Sequence, residues 1–185
     1  MIRPSGRAGE TVTVTRTYLA MTERPETPAT PLPHGTRASV LAATEAPVHW
    51  FLYLYGTVGA DWEWVDWFRA SEAEQATFVE SPETSIHTLM LDGAPGGFFM
   101  LDTRKVGVCD LAYFGLMPHA VGRGLGRWFL DTAIRTGWDR PGVAKMTVNT
   151  CTLDHPAALG LYQRMGFRPV DQETEDRVLS RDYNL

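Results

Sequence analysis

The chain has 185 residues, of which 44% are hydrophobic and 21% charged, and its net charge is −5. That balance suits a soluble globular protein with one sizeable core, read here as one domain over 1–185 with a loose N-terminus over 1–10. Excess negative charge argues against nucleic acid or an anionic membrane as partners and favours a cationic small molecule.

Residues 11–19, TVTVTRTYL, alternate and are rich in β-branched side chains, which predicts a strand. Pro25, Pro28, Pro31 and Pro33 then exclude helix or central strand, so 21–36 is a proline-rich loop. It either crosses the surface or forms a flap over a site. Residues 38–56 and 61–80 are predicted helical, parted by a turn at Gly56–Gly59, with a capping box at Ser71 and Glu74 starting a further helix. Between His49 and Phe68 the sequence places Trp50, Phe51, Tyr53, Tyr55, Trp62, Trp64, Trp67 and Phe68, interleaved with Asp61, Glu63 and Asp66. Rings and carboxylates together bind an ammonium group. The same residues also suit a core whose acids lie on a solvated face, and both readings stand, with one or two rings expected in a pocket. The longest apolar run, near Val48–Tyr55, is far too short to cross a membrane. The first ten residues lack the apolar centre of a signal peptide, so a cytoplasmic location is expected.

Further along, 84–91 and 97–102 are predicted strands joined by a turn over Asp92–Gly96. Val108–Leu116 is apolar and aromatic, a strand ended by Pro118. Gly122, Gly124 and Gly126 follow, and then Leu125, Phe129, Ala133 and Ile134 recur at helical spacing. A glycine-rich turn feeding a helix N-terminus is an anion site, made from unpaired N–H groups and the positive end of the helix dipole. Its spacing matches neither a phosphate-binding NTPase loop nor a dinucleotide fingerprint. Residues 143–150 alternate as a strand, 155–168 read as a helix ended by Gly166, and 167–178 as one more strand or a hairpin. Cys109 and Cys151 are too few for a disulfide framework; they fall on neighbouring predicted strands and are expected reduced. The histidines show no ligand spacing, so no metal is expected.

Two of these segments carry a family resemblance. Val121-Gly122-Arg123-Gly124-Leu125-Gly126 resembles the (Gln/Arg)-x-x-Gly-x-(Gly/Ala) motif of the GNAT superfamily of N-acetyltransferases, departing at Val121. The 155–168 segment resembles the family's last helix, Asn-x-x-Ala-x-x-(Leu/Phe)-Tyr-x-x-x-Gly-Phe. There Ala158, Leu161, Tyr162, Gly166 and Phe167 match and His155 stands at the Asn position. The resemblance implies an α/β fold: a twisted, mixed, mostly antiparallel sheet flanked by helices, with a splayed central strand pair. It also implies acetyl-CoA as acyl donor. Its pyrophosphate would rest on the main chain of 121–126, Arg123 or Arg127 supplying charge that Val121 lacks, and its pantetheine arm along Leu116 and Met117. A bulge tolerated near Gly115 would provide an oxyanion donor. Tyr162 is the expected proton donor to the leaving thiolate, and Asp110 the expected base, with Glu63 the alternative. Asn149 is expected to bond the cofactor or the acceptor, His155 to anchor the cofactor or the strand, and the family places Trp62, Glu63 and Trp64 at the acceptor. The reaction so implied is acetyl transfer to a primary amine of a small cationic molecule by direct attack in a ternary complex. A protein amino group as acceptor, a non-catalytic acyl-CoA sensor and an interaction domain stay open, as does homodimerisation.

Overall fold

The computed structural model describes residues 5–43 and 45–183. In chain order the elements are β1 (Thr11–Met21), β2 (Ala38–Ala42), α1 (Val48–Val58), α2 (Asp66–Arg69), α3 (Glu72–Val79), β3 (Thr84–Leu91), β4 (Ala94–Asp102), β5 (Val108–Leu116), α4 (Leu125–Trp138), β6 (Lys145–Cys151), α5 (Ala158–Arg164) and β7 (Arg168–Val178). The strands form one sheet in the order β2-β3-β4-β5-β6-β1-β7. Every neighbouring pair is antiparallel except β5 and β6, which run parallel. The result is the expected α/β architecture.

Successive side chains of a strand point to opposite faces, and β4 uses both. Phe99 and Leu101 pack with Phe129 and Ile134 of α4 and Tyr162 of α5. Phe98 and Met100 pack with Phe51 and Leu54 of α1 and Phe78 of α3. The sheet therefore separates two apolar layers, and α4 and α5 lie across it from α1 and α3.

Local rules located most elements. The capping box starts α3: Ser71 Oγ accepts from Glu74 N–H at 3.3 Å, and Ser71 N–H donates to Glu74 Oε2 at 2.8 Å. Gly166, at φ 103°, ends the last helix as expected. Four readings change. Residues 38–42 are not helical but an edge strand paired with β3. The β3–β4 hairpin closes on Asp92-Gly93 alone, both with positive φ, the pairing a two-residue turn requires. The helical stretch expected from 61 starts late, because Trp62–Val65 is irregular and α2 begins only at Asp66, while α3 follows the capping box as expected. Residues 6–10 are not loose: Gly6 and Tyr183 exchange backbone hydrogen bonds, and Gly9 N–H reaches Leu179 O at 2.8 Å. Residues 1–4 lie outside the described residues.

The proline-rich loop lies along the outside of α4, not over a substrate site. Thr30 N–H donates to Asp131 at 2.7 Å, and Arg135 bonds both Asp131 at 3.0 Å and Thr27 O at 2.7 Å. Asp131 is only 4% exposed.

On β3, His87 is buried and stacked on Phe99, with ring centroids 4.5 Å apart. Burial, with the charge of Arg140 adding to it, pulls its pKa down from 6.5 to about 4. Below pH 6.5 the unfolded chain takes up a proton that the native chain refuses, so this contribution is complete above that pH and is lost as pH falls toward 4. Discounting for partial solvent contact, the loss is on the order of 1–2 kcal/mol. Urea midpoints across that window are expected to fall more in the wild type than in His87→Phe; parallel curves would refute the assignment.

Candidate active site

The site begins where two strands part. β5 and β6 are paired only at Val108↔Lys145, Cys109↔Met146 and Asp110↔Thr147. Beyond that point β5 stays with β4 as far as Leu116, and β6 stays with β1 as far as Cys151. The gap opens into a cavity of about 650 Å³. Met117 N–H bonds Gly96 O at 2.9 Å, so by strand alternation the N–H of Leu116 points away from β4 and into the gap. Leu116 lines the cavity. Met117 does not; it is 1% exposed and packs beneath α1.

At the wide end stands the glycine turn. Val121, Gly122, Gly124, Leu125 and Gly126 line the cavity. Gly122 and Gly124 have φ of 80° and 74°, conformations that L side chains rarely adopt. A Cβ at Gly122 would meet nothing within 4 Å, so the concavity there is open to a ligand. No side chain caps α4, which leaves the first N–H groups of its first turn facing the cavity mouth. This main-chain cradle fits the pyrophosphate of a coenzyme A thioester, and the unpaired edge of β5 fits its amide-bearing arm. When bound, that group supplies an activated acyl carbon. Arg123 pairs with Asp92 of the hairpin at 3.0 Å, and neither it nor the exposed Arg127 lines the cavity.

Tyr162 of α5 lines the same cavity and is 6% exposed, its ring edge-on to Phe114 and Phe167. Burial raises its pKa above the ordinary value for a phenol, so it stays protonated and carries a proton it can give. Opposite it, the irregular stretch after α1 bridges the gap. Trp64 Nε1–H donates to Asp154 Oδ1 at 3.1 Å, and the Trp62 ring lies edge-on to His155 at 5.3 Å. Asp154 Oδ2 in turn accepts from Thr150 Oγ1 at 2.9 Å and Cys151 N–H at 2.8 Å, bracing the end of β6. His155 lies in the cavity wall.

Of the aromatic cluster, Tyr55, Trp62 and Trp64 reach the cavity. Phe51 is core, while Tyr53 and Phe68 are about half exposed. Glu63 also lines the cavity, yet its carboxylate accepts from Ser180 N–H at 2.7 Å and Tyr183 Oη at 2.9 Å. It braces the C-terminal segment, which makes it a poor base. Asp66 is paired with Arg177 at 2.7 Å.

Asp110 is not in this cavity. It lines a second one, of about 570 Å³, between α3 and the closed end of the β5–β6 pair, together with Glu74, Asp102, Arg104, Tyr113 and Asn149. Burial raises its pKa, opposed by a hydrogen bond from Thr147 Oγ1. Asp110 is the last residue of β5 paired with β6, so it stands before the gap opens, and a bulge follows it. β5 carries one extra residue between Leu111, opposite Leu101, and Tyr113, opposite Met100. That residue is Ala112, so Ala112 and Tyr113 both face α1 and Phe114 turns toward α4. The expected bulge at Gly115 is absent; pairing is regular there, and the missing Cβ instead admits Val58 of α1. Asn149 lines both cavities. Arg16, the lone charge in β1, was missed; it donates to Asn149 at 2.9 Å and also lines the first cavity. An arginine interrupting an otherwise β-branched strand was the available signal.

Both cysteines are free thiols. Cys109 is buried at the closed end of the gap, Cys151 at the opposite end of β6. No group of metal-ligating side chains occurs among the described residues, and no described helix is long and apolar enough to cross a membrane.

A parted strand pair opening onto a glycine turn is an arrangement suited to hold an acyl-CoA. The sequence model of the Acetyltransferase (GNAT) family matches residues 51–167, and this chain belongs to that family. Solved structures agree in fold. A GCN5-related N-acetyltransferase from Kribbella flavida aligns at 20% identity and a TM-score of 0.59 over 90% of this chain and 58% of that one. One from Sphaerobacter thermophilus aligns at 15% identity and 0.58 over 98% and 55%. The aminoglycoside N-acetyltransferase AAC(6')-Iy, solved with CoA, aligns at 19% identity and 0.52 over 80% and 95%. This chain thus spans rather more than half the length of the first two. A search among curated proteins finds no match.

Proposed function

We propose that this chain is an acetyl-CoA-dependent N-acetyltransferase acting on a primary amine of a small cationic molecule, by direct attack within a ternary complex. The observation that carries the reading is the parting of β5 from β6 beyond Asp110 and Thr147, opening onto the glycine turn. The acyl donor lies in that gap, its phosphates on the amides of 122–126 and its arm along Leu116. The acceptor enters from the α1–α3 side. Glu63, Asp66 and Asp154 in the first cavity, with Glu74, Asp102 and Asp110 in the second, outnumber Arg16, Arg177 and Arg104. The resulting negative potential, with the rings of Tyr55, Trp62 and Trp64, favours an ammonium.

The attacking amine must first lose a proton. Asp110 takes it through water from the second cavity, whose wall shares Ala112, Tyr113 and Asn149 with the first, and its raised pKa brings it nearer the working range of a general base. Tyr162 gives a proton to the departing thiolate.

Isothermal titration with acetyl-CoA, and with coenzyme A alongside, tests the reading first. Saturable micromolar binding of both, followed by amine-dependent thiol release, is expected. Absence of binding would overturn it, and binding without release from any amine would make the protein a sensor.

A further inference from the structure

The two cavities share Ala112, Tyr113 and Asn149; the Tyr113 hydroxyl is engaged by Trp67 Nε1–H, whereas the Asn149 amide has a partner for its oxygen alone. It sits on β6 two residues beyond Thr147, the last residue of that strand paired with β5, and so stands where the gap begins. Arg16 on β1 donates Nη1–H to Asn149 Oδ1 at 2.9 Å. Arg16 is itself fixed by Glu175, which accepts from Nη2 at 2.8 Å.

A guanidinium carries donors and no acceptor. The amide must therefore turn its oxygen to Arg16, and its two N–H donors face away from β1 toward the cavities. Among the described residues, Nδ2 makes no hydrogen bond within the chain. An oriented pair of donors at the neck between two cavities calls for an oxygen from a ligand. The second cavity contains none of the glycine-turn residues and lies against α3, the side from which the acceptor is proposed to enter, so the donors of Asn149 are open to an acceptor there.

We propose that Asn149 selects the acceptor: its Nδ2 hydrogens bond a carbonyl or carboxylate oxygen carried by the amine substrate, and Arg16 is the positioning residue that holds the amide in that orientation. The proposal rests on the acetyl-transfer reading of the cavity. The acceptor class is then a primary amine bearing a nearby sp² oxygen, such as an amino acid or its amide, in preference to a plain alkylamine.

The test compares thiol release with glycinamide, glycine and propylamine. Wild type is expected to prefer glycinamide or glycine in kcat/KM, and the pair distinguishes a neutral carbonyl from a carboxylate. Asn149→Asp keeps an oxygen for Arg16 but has no N–H, and it is expected to cut that preference by about 10–100-fold. Arg16→Leu, which frees the amide to turn, is expected to lose most of the preference while Arg16→Lys restores it. An unchanged ratio in Asn149→Asp overturns the proposal.

A second measurement needs no turnover. In isotope-labelled protein saturated with coenzyme A, the side-chain amide signals of Asn149 are those missing in Asn149→Asp. N-acetylglycinamide or N-acetylglycine is expected to shift them, and N-propylacetamide to leave them in place. Equal response to all three overturns the proposal. Failure of the wider acetyl-transfer reading would show instead in the acetyl-CoA titration.

Discussion

Tyr162→Phe is expected to lower kcat for acetyl transfer by about 10²–10⁴-fold, the range for a positioned acid or base, with coenzyme A affinity nearly unchanged. The substitution removes one oxygen and keeps the ring. That ring is held edge-on between Phe114 and Phe167, at 6.3 and 6.1 Å, so α5 keeps its packing on the sheet. What is lost is a phenol whose pKa is raised by burial, a group that stays protonated across the physiological range. A departing thiolate needs a proton donor, and Tyr162 lines the cavity wall. The pair of measurements is steady-state kcat by thiol release and the dissociation constant of coenzyme A by calorimetry. Full turnover in the variant would remove Tyr162 from the mechanism. An equal loss in affinity would make its role one of packing or binding.

Gly97→Ala is expected to cost about 1–3 kcal/mol of stability, the usual range for overpacking, and to weaken coenzyme A binding with it. Gly97 of β4 stands opposite Leu116 of β5. A Cβ added there would lie 2.5 Å from the carbonyl oxygen of Gly115 and 3.0 Å from Cα of Leu116. Both are backbone atoms of a central strand, so no side chain can rotate away and the two strands must move apart. β5 is held by β4 alone beyond Asp110, and moving it displaces the Leu116 N–H that faces the gap. Gly126→Ala is the contrast. Its Cβ would meet only Leu161 Cδ2, at 3.7 Å, and the position lies in the first turn of α4. Its stability is expected to stay within about 0.5 kcal/mol of wild type or rise slightly, since alanine favours helix. Urea denaturation of both variants decides the matter, and equal stability of Gly97→Ala and wild type would refute the contact.

Physically, the readings that held were those governed by neighbours in sequence. Strand β5, the glycine turn and α4 follow one another within residues 108–138, each announced by alternation, glycine spacing or helical period. The cradle is main chain at a helix start, so its location was legible although Val121 departs from the motif. The capping box at Ser71 and the helix end at Gly166 are likewise contacts over a few residues.

What failed were readings that needed a partner distant in the chain. Residues 38–42 became a strand because β3 offers an edge, and nothing inside ASVLA announces that. Regular alternation would put Asp110, Ala112 and Phe114 on one face, but the bulge at Ala112 reverses the parity beyond it and sends Phe114 to the α4 side. Glu63 looked like a substrate carboxylate until Ser180 and Tyr183 were found bonded to it. Asn149 acquired a direction only from Arg16, on a strand more than a hundred residues earlier. The sequence by itself thus determined the family, the strand–turn–helix that would hold the acyl donor, and Tyr162 as the residue to test. Only the tertiary structure decided which carboxylates remain for chemistry and which way the amide of Asn149 points, because a side chain's hydrogen-bond partners are set by strand pairing across the whole chain and not by local spacing.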